Sequence, residues 1–311
     1  DVDIIRDKNG EIFIAGIMEH IEEAGIHSGD SACSLPPYSV TKKTQNKIIE
    51  WVSKIANEIN VVGLMNTQLA IKDKKIYVLE VNPRASRTVP FVAKSKGIPV
   101  AKIAAKVMVG ENINSILNDY KIKELKNFNV KESVFPFNKF DGVDLILGPE
   151  MKSTGEVMGI DETFLSSYIK SQIACGNILP SKGTVFISID NDNKKFIIKI
   201  AQKLKELDFN LLATKGTAEH LNSNNIKTKI VNKVKEGNPH VVDSLINNEI
   251  QLVINTTKTQ SSIRDSYSIR RTSLMYNIPY YTTIAGAKVA VDAIEHMKTQ
   301  EFTIKSLQTI N

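Results

Sequence analysis

The chain has 311 residues, 42% apolar and 24% charged, which is enough for two hydrophobic cores of ordinary domain size. Its 40 Lys and Arg against 34 Asp and Glu leave +6, but the basic residues are scattered in doublets such as Lys42-Lys43, Lys74-Lys75 and Arg270-Arg271, which speaks against a nucleic-acid partner and for small acidic ligands. Two cysteines without Cys-x-x-Cys spacing fit neither a disulfide scaffold nor a zinc site, and no apolar run reaches the roughly 18 residues of a membrane span, so no membrane partner is expected and a reducing, cytoplasmic setting fits. The first residue is Asp1, inside an alternating stretch, so a longer protein is expected.

Residues 2–5 and 12–15 read as strands joined by Asp7-Lys8-Asn9-Gly10, where Asn-Gly would supply the positive backbone angles of a hairpin turn. Over 41–60, Ile48, Val52, Ile55 and Ile59 fall on one helical face behind Thr41 as N-cap. Residues 64–71 and 76–82 form a second strand pair around Lys72-Asp73-Lys74-Lys75, and Pro99 suits the first turn of a helix reaching Val109, with Gly110 ending it. Across 121–183 the periodicity weakens, placing a domain junction near its end.

Beyond Gly183 strands and helices alternate. Strands are expected at 184–189, 210–213, 229–231, 251–255 and 279–281, and helices at 194–207, after Thr217, from Pro239, from about Ile263 and from about Ala285. Such alternation predicts a doubly wound parallel sheet, with Ile197, Ile200, Ala201 and Leu204 as the buried stripe of its first helix. Two α/β units follow: residues 1–180, built on antiparallel sheet and helices, and residues 181–311.

In the first unit, Glu80 and Asn82 end a strand on the same face, about 6.7 Å apart at roughly 3.3 Å of rise per residue. Gln68, from the preceding strand, would complete a set of oxygen ligands for a hard cation, with phosphate oxygens supplying the rest. Arg84 and Arg87 carry planar, permanently charged forks that suit a phosphoryl group. Taken alone, a Glu-x-x-x-Arg cluster is more often a surface ion pair. In the second unit, Thr214-Lys215-Gly216-Thr217, Lys233 and Asn255-Thr256-Thr257 follow three strands, where helix N-termini attract anions. Any one of these threonines could be only a helix cap.

Longer segments carry a resemblance. MEHIEEAGIHSGDS at 18–31, GLMNTQ at 63–68, EVNPRASRTVPFV at 80–92, VFPFNKF at 134–140 and LGPEMKSTGEVMG at 147–159 together resemble the second ATP-grasp unit of carbamoyl-phosphate synthetases. ATKGTA at 213–218, VNKV at 231–234 and INTT at 254–257 resemble the methylglyoxal-synthase-like regulatory domain of the same enzymes. The resemblance implies a ligase that phosphorylates carbamate with ATP in pyrimidine and arginine synthesis. It implies Gln68, Glu80 and Asn82 as ligands of Mg²⁺ or Mn²⁺, Gly25, Ile26, His27, Ser28, Gln68 and Glu80 at the ATP, and Arg84 and Arg87 at the transferred phosphate. K⁺ is a further expected ion.

Lys194, Thr214, Thr217, Lys233, Asn255 and Thr257 match a pocket for UMP or IMP. Glu22, Asp30, Glu132, Tyr280 and Thr282 match an ornithine site, although Tyr281 stands where members with that response carry Asp. A glutaminase small subunit and self-association through the regulatory domain are further implied partners. The family's glycine-rich phosphate loop falls before Asp1, so the chain by itself is expected to bind ATP poorly and to be inactive. Three other readings stay open: another ATP-grasp ligase such as a biotin-dependent carboxylase, a nucleotide-binding regulatory module without catalysis, and a methylglyoxal synthase, for which no Asp general base is evident.

Overall fold

A computed structural model describes residues 1–300 except 123 and 141, together with residue 304; the remainder of the second expected unit lies outside the described residues. β1 (Val2–Arg6) and β2 (Ile12–Ile17) pair antiparallel as the opening hairpin. Its turn differs from the expectation. Only Gly10 takes a positive φ, +92°, and the Asp7 carboxylate organises the turn by accepting from the Asn9 N–H at 2.9 Å and the Glu11 N–H at 3.1 Å. Two short strands follow, β3 (Glu19–His20) and β4 (Cys33–Leu35). β5 (Gly63–Lys72) and β6 (Lys75–Asn82) form the second hairpin, whose turn residues Asp73 and Lys74 have φ of 51° and 62°, the left-handed pair that a type I′ turn demands.

These strands make a sheet in the order β2-β1-β5-β6. The helix Lys42–Glu58 covers one face: Thr41 caps it by accepting from the Thr44 N–H at 3.3 Å, and Ile48, Val52 and Ala56 bury against Val2, Ile4, Met65 and Ile76. Ile59 does not join that stripe, because the helix ends at Glu58 and leaves it 51% exposed. Helices Val89–Lys96 and Val100–Met108 pack on the other face over Ile5 and Leu64. Pro99 sits at the N-cap position of the second, just ahead of its first turn, and makes no capping bond.

The stretch 121–183 holds more structure than its periodicity suggests. β7 (Phe128–Val134) and β8 (Gly155–Asp161) join the short strands in a second antiparallel sheet, β3-β4-β7-β8, followed by a helix at Phe164–Ala174. The physical reason is that β7 buries polar residues. Asn129, Lys131 and Ser133 point inward and bond to backbone carbonyls, so the apolar alternation that marks a half-buried strand is absent.

The second unit forms as expected. β9 (Thr184–Ser188), β10 (Asn210–Ala213), β11 (Lys229–Ile230), β12 (Leu252–Asn255) and β13 (Tyr280–Tyr281) make an all-parallel sheet in the order β11-β10-β9-β12-β13. Ile197, Ile200, Ala201 and Leu204 are the buried stripe of helix Lys194–Glu206. Several boundaries shift: a helix begins at Lys215, ahead of Thr217, the helix expected from Pro239 begins at Val241, strand ends move by a residue, and the helix expected from Ile263 is a pair, Gln260–Asp265 and Tyr267–Met275. Apolar packing runs from Val185 and Ile187 through to Val130 of β7, Ile21 just after β3 and Tyr168 of the helix Phe164–Ala174. The buried Arg270 of helix Tyr267–Met275 also grips Asp144 with two N–H groups.

Candidate functional site

Cross-strand register assembles the first group of predicted residues. Gln68 lies opposite Glu80 and Asn66 opposite Asn82 in β5-β6, while Asn66 also lies opposite Asp3 in β1. Side chains two apart on a strand share a face, so Asp3, Asn66, Gln68, Glu80 and Asn82 all project to the side that Ile5 and Leu64 bury beneath helices 89–108. The helices cover only part of that face. Glu80, Arg84 and Arg87 are exposed and Gln68 and Asn82 half-buried.

None of the Gln68, Glu80 and Asn82 side chains bonds to another described residue. One carboxylate and two amide oxygens left free on neighbouring strands suit a hard cation that completes its shell with phosphate oxygens. Among the described residues no cluster of three or more His, Cys, Asp or Glu offers a metal site of the acid-rich kind. Arg84 is oriented locally, its N–H donating to the Asn82 carbonyl at 2.8 Å and its Nη1 to the Ala85 carbonyl at 3.0 Å.

The loop bearing Gly25, Ile26, His27 and Ser28 leaves β3 and returns to β4. Gly25 has φ of +104°, and His27 Nδ1 accepts from the Gly29 N–H at 3.0 Å, which leaves Nε2 to carry the ring proton. The loop's base is clamped from several sides. Asp30 accepts from the N–H groups of Lys152 and Ser153 at 2.8 and 2.9 Å, Lys131 Nζ donates to the Ser28 and Gly29 carbonyls at 3.2 Å, and Glu22 accepts from the Ala32 N–H at 2.7 Å. Sequence reasoning missed Lys131, because a lysine in an irregular-looking stretch carries no sign that it is buried.

Glu22, Asp30, Glu132, Tyr280 and Thr282 line one cavity of about 310 Å³, together with Tyr168, Gln172 and Tyr281. Desolvation at the cavity wall pushes the Glu22 carboxyl up to about 8, with Glu132 adding repulsion, and pushes Glu132 up to about 7. Gln172 donates to Glu132. Tyr281 contributes a ring whose hydroxyl sits 3.3 Å from that of Tyr168, and burial pushes its pKa up.

The third group converges at the carboxyl ends of β9, β10 and β12, where strand order reverses about β9 and ligands of open α/β sheets bind. Lys194, Thr214, Thr217, Lys233, Asn255 and Thr257 all line a cavity of about 340 Å³. Thr214 occupies the N-cap position of helix Lys215–Ser223 without capping it; its hydroxyl lies 3.3 Å from that of Ser188, and Thr217 Oγ1 accepts from the Ile189 N–H at 3.1 Å. Asn255 is 1% exposed, and neither its Nδ2 nor its Oδ1 has a protein partner. Gly216 is not required by the protein alone, since a Cβ there would meet only Lys194 Nζ at 3.6 Å. Asp190 was missed. Burial works to raise its pKa, but hydrogen bonds from Thr256 and Asn193 outweigh that and hold the carboxyl below its usual range. Its place at the end of the central strand was the available signal.

Comparison with known proteins separates the chain into two matched parts. Residues 1–116 match the family model described as carbamoyl-phosphate synthase L chain, ATP binding domain, and residues 196–282 match the MGS-like domain. The large chain of carbamoyl phosphate synthase from Myxococcus xanthus is 49% identical over 308 residues, covering 99% of this chain and 28% of that protein. The chain is related along its whole length to carbamoyl phosphate synthase large chains.

A relative from Methanopyrus kandleri, the large chain's C-terminal section, places the match within that protein: it is 48% identical over 318 residues, covering 100% of this chain and 59% of the relative. The large chain from Archaeoglobus fulgidus is 50% identical over 309 residues, 99% of this chain. This chain thus spans 28% of the full-length large chains from Myxococcus and Archaeoglobus. Among solved structures, the biotin carboxylase subunit of pyruvate carboxylase aligns with 56% of this chain and 44% of its own at 14% identity and a TM-score of 0.42. The ATP-binding match contains the loop at 25–28 and the group from Gln68 to Arg87, and the MGS-like match contains every predicted pocket residue except Lys194.

Proposed function

We propose that this chain supplies the carbamate-phosphorylating part of a carbamoyl phosphate synthase, followed by a nucleotide-sensing unit, with the division at residues 1–180 and 181–311. The observation that carries the first half is the free oxygen set Gln68, Glu80 and Asn82 beside two exposed arginines, within the matched ATP-binding domain. Phosphoryl transfer forms a bond from a carbamate oxygen to the γ-phosphorus as the bond to the ADP oxygen breaks, so catalysis consists mainly of positioning and charge stabilisation. Arg84 and Arg87 offer planar donor pairs to the equatorial phosphoryl oxygens. Glu80, Asn82 and Gln68 would hold Mg²⁺ or Mn²⁺, which supplies charge neutralisation at the phosphates. The 25–28 loop contacts the nucleotide, held in register by Lys131 and Asp30 from below.

In the second half, Asn255 supports a ligand pocket, being a buried amide without protein partners. Thr214, Thr217 and Lys233 hold the phosphate of UMP or IMP, and Asn255 meets the base end. The carboxylate cavity takes a cationic effector of the ornithine kind, narrowed by Tyr281. A glutaminase subunit as ammonia source, K⁺, self-association through the second unit, a cytoplasmic setting and a place in pyrimidine and arginine synthesis complete the proposal. Among the described residues no helix is long and apolar enough to cross a membrane.

The test is Glu80→Gln in the full-length protein that carries this chain. Loss of nearly all ATP- and bicarbonate-dependent carbamoyl phosphate formation supports the assignment, because the carboxylate charge that would hold the cation is gone. Formation at the unsubstituted rate refutes it.

A further inference from the structure

We infer that Asp3 is a positioning residue that fixes the loop carrying Arg84 and Arg87, an inference that rests on the phosphoryl-transfer reading of those arginines. Asp3 is 1% exposed and lies in β1, one of the two inner strands of the first sheet. Its Oδ1 accepts from Asn66 Nδ2 and from Ser86 Oγ, each at 2.8 Å, and its Oδ2 accepts from Thr88 Oγ1 at 2.6 Å. The Ser86 and Thr88 hydroxyls are themselves 2.7 Å apart. Among the described residues no Lys, Arg or His forms an ion pair with this carboxylate.

Burying an anion with only neutral donors is unfavourable, and what it gives in exchange is short, charge-assisted bonds that a neutral side chain could not make. Those bonds fall on either side of Arg87. The two flanking hydroxyls reach one carboxylate, so the backbone is pinned at 86 and 88 while Arg87 between them stays exposed. The third bond, through Asn66, ties the same carboxylate to the register row that contains Asn82. Asp3 thereby references the Arg87 end of the loop to the strands presenting the oxygen ligands, while the Arg84 N–H bond to the Asn82 carbonyl holds the other end. A shift of about 1 Å at a reacting group can cost roughly 100-fold in rate, so an anchor of this kind sets turnover without touching substrate.

The experiment uses the full-length protein and the variants Asp3→Asn, Arg87→Ala and their combination. Asparagine keeps the size and one acceptor oxygen but removes the charge. The expected result is a fall in kcat for carbamoyl phosphate formation of about 10- to 100-fold, with the KM for ATP within about threefold. The double variant should be little slower than Arg87→Ala alone, since coupled groups are non-additive. Hydrogen exchange should quicken at the amides of residues 84–88 while those of β5 keep their protection. An unchanged kcat, full additivity, or faster exchange spread over the whole sheet would overturn the inference, the last by making Asp3 an ordinary structural residue. Absence of carbamoyl phosphate formation in the unsubstituted protein would defeat the phosphoryl-transfer reading instead, and the exchange pattern would still decide whether Asp3 anchors the loop.

Discussion

Asn255 offers a test in which stability and binding should move in opposite directions. Its side chain is 1% exposed, and neither the amide nitrogen nor the oxygen has a protein partner. An unsatisfied buried polar group costs about 1–3 kcal/mol, a cost borne until a ligand meets it. Leucine has the same number and branching of heavy atoms and nothing to satisfy. Asn255→Leu should therefore stabilise the chain by about 1 kcal/mol, raising Tm by about 2–4 °C. The same change removes a recognition group from the pocket and should weaken UMP at least tenfold, since a hydrogen bond lost in a desolvated site is worth about 1.4 kcal/mol or more. Calorimetric scanning gives the first quantity and calorimetric titration with UMP the second. A destabilised variant that still binds UMP as the parent does would refute both the orphaned-amide argument and the pocket assignment.

Further outcomes follow from other groups. Glu22 and Glu132 bind protons more tightly folded than unfolded, so the parent should lose stability as pH rises from about 4.5 to about 8. Glu22→Gln, which cannot ionise, should flatten much of that decline and be the more stable protein at the alkaline end when melting is followed against pH. Lys233→Ala should weaken UMP more than Thr217→Val does, and uridine should bind far more weakly than UMP, because the phosphate gains about 1.5–3 kcal/mol from each charge-assisted bond. Equal affinity for uridine and UMP would exclude a phosphate site there. Asp144→Ala leaves the buried Arg270 guanidinium uncompensated and should destabilise the chain by about 3 kcal/mol in denaturant unfolding.

How much of this was legible in the sequence depended on whether a residue's partner lay nearby in the chain. The doubly wound unit was clear because its helices carry complete apolar stripes, Ile197 to Leu204 being the plainest, and because strand ends there deliver Thr214, Lys233 and Asn255 to one side by topology alone. Gln68 and Glu80 were placed on neighbouring strands because a short polar turn joins β5 to β6, but their direct opposition was not legible, since it depends on a register shift between Gln68 and Leu69. The second antiparallel sheet was hidden by Lys131 and Ser133, polar residues turned inward to carbonyls over 100 positions away. Asp3 looked like the polar member of an alternating strand. Its burial depends on Ser86 and Thr88, which only the return of the chain over the sheet brings near.

If the residues around Glu80 support phosphoryl transfer between a nucleotide and carbamate, the step must also run backwards. Running that step in reverse tests it most directly, since it needs neither an ammonia source nor bicarbonate. Full-length protein is mixed with carbamoyl phosphate, ADP and Mg²⁺, and ATP is measured. The unsubstituted protein should form ATP and Glu80→Gln only background. Equal ATP from both, or none from either, would contradict this assignment.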